Sequence, residues 1–307
     1  MPTMTRTTWG LLLILSLLWG GSFFFIAVAV KGLPIFTIVW LRVAIAGAVL
    51  WGVIWISGLK IAWSRAGIIA CFGMGVLNNA VPFTLIVYGQ ASIPSGLASI
   101  LNATTPLFTV VATHVLTQDD KLTVQKFSGV ALGIAGVAVL VGPDVLGSGA
   151  PVLAQLAILG AAFSYGLGGV WSRRFKVLET PLPVTAIAVG QLTVSTLLML
   201  PLMLVLDRPW AMEVPGLPAV LSVIGLAVVS TALAYILFFR ILNLAGPTNV
   251  SLVTFLIPIS ATGLGWAFLS ERLGIGELIG ALLIGAGLAA MDGRLLRWLR
   301  YQVTPNA

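Results

Sequence analysis

Apolar stretches of about 20 residues recur from Trp9 to Met291, each closed off by a short polar or Gly/Pro-marked break. That is the length an α-helix needs to cross the hydrocarbon of a bilayer. The breaks predict ten helices, over about 9–30, 35–57, 65–88, 94–117, 124–141, 152–172, 183–205, 217–240, 247–270 and 274–291. Gly32 with Pro34, Gly58, Pro94, Gly142 with Pro143, Pro181 with Pro183, and Gly246 with Pro247 mark boundaries, since neither residue type continues a helix cheaply. The turns between are too short to hold a soluble domain. The pattern therefore predicts an all-α integral membrane protein with ten transmembrane helices.

Composition agrees with lipid as the solvent. Of the 307 residues, 59% are hydrophobic and 8% charged, whereas a soluble domain carries roughly a quarter charged residues. The excess of 16 Lys and Arg over 9 Asp and Glu would suggest nucleic acid in a soluble chain; here it has a topological meaning. With a cytoplasmic N-terminus, Arg6, Lys60, Arg65, Lys121, Lys126, Arg173, Arg174, Lys176, Arg240, Arg294, Arg297 and Arg300 all fall on cytoplasmic positions. Only Lys31, Arg208 and Arg272 fall outside, and Arg42 lies within a helix. This positive-inside bias, with an even number of spans, places both termini in the cytoplasm. The first apolar segment, from Trp9 to Val30, exceeds the core of a signal peptide and is followed by further spans, so it reads as a retained helix. Trp63, Trp171, Trp210 and Trp298 fall near predicted span ends, as an aromatic belt would place them.

The chain also matches itself. At an offset of 152, Ala80 falls on Ala232, Phe83 on Tyr235, Ser99 on Ser251, Pro106 on Pro258, Asp119 on Glu271 and Gly133 on Gly285. At an offset of 149, Pro34 falls on Pro183 and Arg42 on Gln191. The reading is two five-helix repeats, 1–145 and 146–307, forming one membrane domain. Five is odd, so the second repeat is expected to enter the membrane in the opposite sense, the inverted arrangement that suits alternating access. Gly129, Gly133 and Val137 align with Ala281, Gly285 and Ala289, a small-residue stripe suited to close helix packing.

Three features carry a family resemblance: Leu17-Leu18-Trp19-Gly20-Gly21-Ser22 in helix 1; Leu41-Arg42 in helix 2; and a proline-centred helix followed by an acidic turn and a Gly-rich last helix. In the second half the last of these runs from Ser251 through Pro258 to Leu269-Ser270-Glu271-Arg272-Leu273, then Gly280 to Gly287. In these the chain resembles the EamA-type exporters of the drug/metabolite transporter superfamily. The first copy departs from the pattern at Thr117-Gln118-Asp119-Asp120-Lys121. The resemblance implies a bacterial inner-membrane carrier exporting amino acids, other metabolites or drugs, and extends to the aromatic amino-acid exporters of that superfamily. Small multidrug carriers of the same superfamily depend on an acid in the first helix, and helix 1 here has none.

Charge in hydrocarbon is costly, so ionisable residues within spans are the first site candidates. Every carboxylate falls in a loop or at a helix end, which leaves Arg42, about seven residues into helix 2. Two readings of it stand: a packing residue that snorkels outward, or a cavity residue that attracts a substrate carboxylate. His114 is the only histidine, and a lone histidine makes a poor proton relay. Amides and hydroxyls supply further candidates, Asn78, Asn79, Asn102, Gln191, Asn249 and Thr254, which with Ser22, Thr104, Thr105, Ser164, Ser230, Thr231 and Ser251 suggest a neutral, hydrogen-bonding cavity. Trp19, Phe23, Trp40, Phe83, Tyr165 and Tyr235 are candidate aromatic walls. Asn102 and Thr254 each precede a central proline by four residues, and Pro106 and Pro258 are the hinge candidates. Interhelical hydrogen bonding and lipid or core contact are the competing explanations for these side chains.

The chain carries no phosphate loop, no paired cysteines or histidines for a metal, and no serine, histidine and acid set. Its one cysteine, Cys71, lies in an apolar stretch. The expectation is a non-enzymatic exporter of small neutral or zwitterionic metabolites, working with a small-molecule substrate and the bilayer, without cofactor, metal, nucleic acid or obligatory protein partner. Efflux of drugs or other metabolites is the nearest alternative. A membrane scaffold and an integral-membrane transferase are the alternatives outside transport.

Overall fold

The computed structural model describes residues 4–118, 123–145, 150–179 and 181–292. Asp119, Asp120 and Lys121, and beyond residue 292 Arg294, Arg297, Trp298 and Arg300, lie outside the described residues. Eight helices are long and apolar enough to cross a membrane: α1 (Arg6–Ala29), α2 (Ile35–Ser57), α3 (Arg65–Gln90), α4 (Ser95–Leu116), α5 (Val124–Val141), α6 (Val152–Val177), α7 (Val184–Ala211) and α8 (Leu217–Ala245). Two shorter apolar helices follow, α9 (Val253–Leu269) and α10 (Ile275–Met291). No strand occurs among the described residues.

The helices begin and end where local chemistry dictates. Thr5 caps α1 by accepting from the Thr8 amide, and Ser64 caps α3 by accepting from the Gly67 amide, each meeting one of the amides a helix start leaves unpaired. Gly58 closes α2 at φ 65°, a conformation that suits glycine. The predicted helix over 247–270 is divided. Pro247–Val250 forms a separate short turn, Ser251 and Leu252 lie in a non-helical turn, and α9 starts only at Val253.

α3 and α8 each contain a π-helical segment, Val76–Ala80 and Val228–Leu233. These start 152 residues apart, the offset found in the sequence. Within the second, the Thr231 hydroxyl donates to the carbonyl of Leu226 five residues back, at 2.8 Å. Such one-turn departures often accompany functional sites.

Helix packing is duplicated in the same way. α1 packs on α9 as α6 packs on α4; α1 meets α8 as α6 meets α3; and α2 meets α8 as α7 meets α3. The pairs α2 with α7, α4 with α9, and α5 with α10 join equivalent members of the two halves. Exchanging the halves therefore maps these contacts onto one another. The core fills the seams, with Ile38, Leu101, Ile158 and Leu192 fully buried.

The α5–α10 seam corrects one detail of the small-residue stripe. A Cβ built on Gly287 would lie 2.5 Å from the carbonyl oxygen of Gly129, and one on Gly136 would lie 2.8 Å from that of Gly280. Gly285 has nothing within 4 Å. The close face of α10 thus runs through Gly280 and Gly287, one position round from the stripe read in sequence.

Candidate functional site

A cavity of about 340 Å³ lies among α1, α2, α3, α4, α6, α8 and α9, within the size range of small-molecule sites. Its lining repeats itself across the halves. Asn78 and Ser230, Phe83 and Tyr235, Ile86 and Phe238, Asn102 and Thr254, and Thr105 and Ile257 are pairs at the 152 offset whose two members both line it. On α6, Tyr165, Gly168, Gly169 and Ser172 contribute, at the i, i+3, i+4 and i+7 spacing of one helix face.

Among the described residues Arg42 is the only charged one lining the cavity. It is 5% exposed. Its Nε donates to Thr231 Oγ1 at 3.0 Å, and the guanidinium carbon stands 3.5 Å from the centre of the Phe83 ring. Because Thr231 Oγ1 spends its proton on Leu226, it presents a lone pair to Arg42. The π-helical segment of α8 therefore fixes the guanidinium of α2. Among the described residues no carboxylate forms an ion pair with it.

Nine candidates read from sequence line the cavity: Trp19, Phe23, Arg42, Asn78, Phe83, Asn102, Tyr165, Tyr235 and Thr254. Four do not, each for a physical reason. Trp40 sits two residues before Arg42, roughly 200° around the helix, and packs against the core instead. Asn79 is fully buried behind the wall, where its Oδ1 accepts from the Tyr235 hydroxyl at 3.2 Å. Gln191 stands behind Asn78, whose Nδ2 reaches its Oε1 at 3.4 Å. Asn249 lies in the short turn after α8, donating to the Ala245 carbonyl at 2.9 Å. Asn79 and Gln191 thus support lining residues, whereas Trp40 and Asn249 belong to the scaffold.

The two candidate hinge prolines are not equivalent in their surroundings. Pro106 follows a turn at Ala103 and Thr104 that interrupts α4. It has no N–H for the carbonyl of Asn102, and the Thr105 hydroxyl takes that carbonyl at 2.8 Å. Pro258 lies inside unbroken α9, with the interruption on its side several residues earlier, at Ser251 and Leu252.

Sequence reasoning missed Phe238 and the Gly168–Gly169 pair, and it named Thr231 as an in-span hydroxyl without its pairing to Arg42. Phe238 was reachable through the repeat, as the counterpart of Ile86. The glycines were reachable from their spacing to Tyr165.

Beyond the Arg42 end of the cavity lies a layer of polar contacts, two of which join the two halves. Gln90 Nε2 donates to the Phe23 carbonyl at 2.9 Å, within the first half. Asp207 Oδ2 accepts from the Thr37 amide at 2.6 Å and hydroxyl at 2.8 Å, across the halves. Glu271 likewise crosses to the start of α4. At the opposite end the lining reaches Ser172, beside Trp171, whose ring lies 3.9 Å from the Arg174 guanidinium.

The model of the EamA-like transporter family matches the chain twice, over residues 7–142 and 152–291. An uncharacterized transporter of Bacillus subtilis, YoaV, is 24% identical over 279 residues, which cover 89% of this chain and 92% of YoaV. The uncharacterized inner membrane transporter YedA of Escherichia coli K12 is 27% identical, over 90% of this chain and 89% of its own. A probable amino-acid metabolite efflux pump of the same strain is 24% identical, over 93% and 94%. A solved crystal structure shares the fold with a TM-score of 0.64 at 20% identity, covering 95% of this chain and 99% of the other.

Proposed function

The chain belongs to the EamA-like transporter family, and we propose that it is an inner-membrane secondary carrier or facilitator exporting small neutral or zwitterionic metabolites. Amino acids, aromatic ones included, are the favoured class. The single observation that carries this reading is the cavity itself: both halves build it, rings and amides line it, and among the described residues its one charge is Arg42. An isolated cation at membrane depth costs at least about 2.5 kcal/mol. A substrate carboxylate offsets that cost, and with Nε committed to Thr231 the two Nη groups are the ones that meet it.

Alternating access follows from two inverted five-helix repeats, 1–145 and 146–307, rocking about the shared cavity. The exchange of helix contacts between halves and the matched π-helical segments support this arrangement. With both termini cytoplasmic, the Ser172 end of the cavity faces the cytoplasm and the Arg42 end faces outward. The names of the relatives, an inner membrane transporter and a probable amino-acid metabolite efflux pump, support the membrane and the substrate class.

The test is reconstitution into liposomes loaded with a panel of amino acids and N-acylated amino acids, comparing wild type with Arg42→Gln. Faster loss of carboxylate-bearing solutes through the wild type, most of it abolished in Arg42→Gln, is the expected result. Monodisperse protein that moves no solute of the panel overturns the proposal.

A further inference from the structure

The neutral hydrogen-bonding groups around Arg42 are largely engaged with one another. The Ser22 hydroxyl donates to the Trp19 carbonyl at 2.6 Å, the Tyr235 hydroxyl to Asn79, the Asn78 amide to Gln191, and the Thr105 hydroxyl to the Asn102 carbonyl. The lining acceptors left without a hydrogen bond include the buried Asn102 Oδ1 and Ser230 Oγ and the hydroxyls of Tyr165 and Thr254, and all of them are uncharged. Among the described residues no acid lines the cavity to meet an ammonium.

The charge balance follows. A carboxylate gripped by Arg42 brings the site to neutrality. An α-ammonium on the same molecule restores a net positive charge, and it does so roughly 5–6 Å from the guanidinium, where like charges in a poorly solvated cavity repel appreciably. Neutral acceptors can hydrogen-bond that ammonium without cancelling its charge, and burying an unbalanced charge is costly. The Phe83 ring already lies against Arg42, and the other lining rings, Trp19, Tyr165 and Tyr235 among them, can meet a cation but, being neutral, do not cancel its charge.

We propose that the cavity reads the carboxylate and the apolar body of its ligand and discriminates against the ammonium. The better ligands are amino-acid metabolites whose nitrogen has been removed or acylated, carboxylates with a single net negative charge. This rests on the assignment of Arg42 as the carboxylate site in the reading above. It moves the preferred ligand from the zwitterionic amino acid, which the site holds more weakly, to its deaminated and N-acylated relatives.

Calorimetric titration of the protein in lipid nanodiscs tests it without interference from passive leakage of the acids. The ligands are 3-phenylpropanoate, N-acetylphenylalanine and phenylalanine, which share one ring, with 4-methylpentanoate and leucine as an aliphatic pair. The two anions of the first set are expected to bind at least about tenfold more tightly than phenylalanine, and 4-methylpentanoate more tightly than leucine. Arg42→Gln should bring the ratios close to one by weakening the anions, while Arg42→Lys, which keeps the charge, should preserve the order. Amino acids that bind as tightly as their anionic partners overturn the inference and leave the carboxylate site standing. Ratios unchanged in Arg42→Gln also overturn it. No binding of any of the five ligands by monodisperse protein overturns the carboxylate site, and the inference with it.

Discussion

Glu271, in the turn after α9, caps the start of α4 at Ser95. Its Oε2 accepts from Ser95 Oγ at 2.6 Å and its Oε1 from the Ser95 amide at 3.1 Å. Ser270 at φ 57° ends α9 in a left-handed turn that delivers the carboxylate. Gly265 gives it room, since a Cβ there would lie 2.5 Å from Oε2 of Glu271 and 2.8 Å from Ser95 Oγ. An anion at a helix start meets unpaired amides and the positive end of the dipole. Glu271→Ala is therefore expected to destabilise the protein by about 2 kcal/mol, the scale of hydrogen bonds to a charged acceptor. Gly265→Ala should cost a similar amount by displacing the carboxylate, and the double variant should cost less than the sum. Thermal unfolding in detergent of the four proteins checks this; strict additivity would mean that Gly265 and Glu271 act separately.

Asp207 makes a second cap of the same kind, on Thr37 at the start of α2. Both carboxylates belong to the second half and both caps belong to the first. The repeat counterparts of Asp207 and Thr37 at the 149 offset are Gly58 and Ala186, which can form no such pair, so this link exists at one end of the bundle alone. Replacing both acids, as Asp207→Asn with Glu271→Gln, should loosen the Arg42 end of the cavity. In a Cys71→Ala background, a cysteine introduced at Ile86, which lines that end, is expected to react several-fold faster with a membrane-impermeant maleimide applied from outside. Unchanged labelling from that side would show that the caps are structural only.

The helices were legible because their signals are local. Hydropathy and Gly/Pro punctuation place the ends of α2 at Ile35 and Ser57 as predicted, and the 152 register anticipates the paired π-helical segments. The break at Ser251 and Leu252 was hidden because neither residue is a helix breaker. Site membership was only half legible. Polar residue type pointed to Asn102 and Thr254, but the helix face decides between Trp40 and Arg42. The partner of Arg42, Thr231, lies 189 residues away, where no local pattern reaches.

The small residues of α5 and α10 make the same point in energetic form. Gly285 is open around its Cβ position, whereas a methyl at Gly287 meets the Gly129 carbonyl at 2.5 Å and the Gly133 amide nitrogen at 2.9 Å. Because backbone cannot step aside as a flexible side chain can, Gly287→Ala is expected to cost roughly 1–3 kcal/mol. Gly285→Ala should be neutral or slightly stabilising through its gain in helix propensity. Comparing the two melting temperatures decides the point, and equal values would show that the seam can open without penalty.

Thr231 offers the sharpest check on how Arg42 is held. Its hydroxyl accepts from Arg42 Nε at 3.0 Å while donating to Leu226 at 2.8 Å, so it sets the guanidinium over the Phe83 ring without needing to touch the substrate's carboxylate. Thr231→Val keeps the shape and removes the acceptor. A lost hydrogen bond to a charged donor, worth about 1.5 kcal/mol, should raise KM for carboxylate export by roughly tenfold. Thr231→Ser should restore it, and solutes without a carboxylate should be unaffected by either change. A Thr231→Val carrier with unchanged KM would place the orientation of Arg42 in the hands of the Phe83 ring alone.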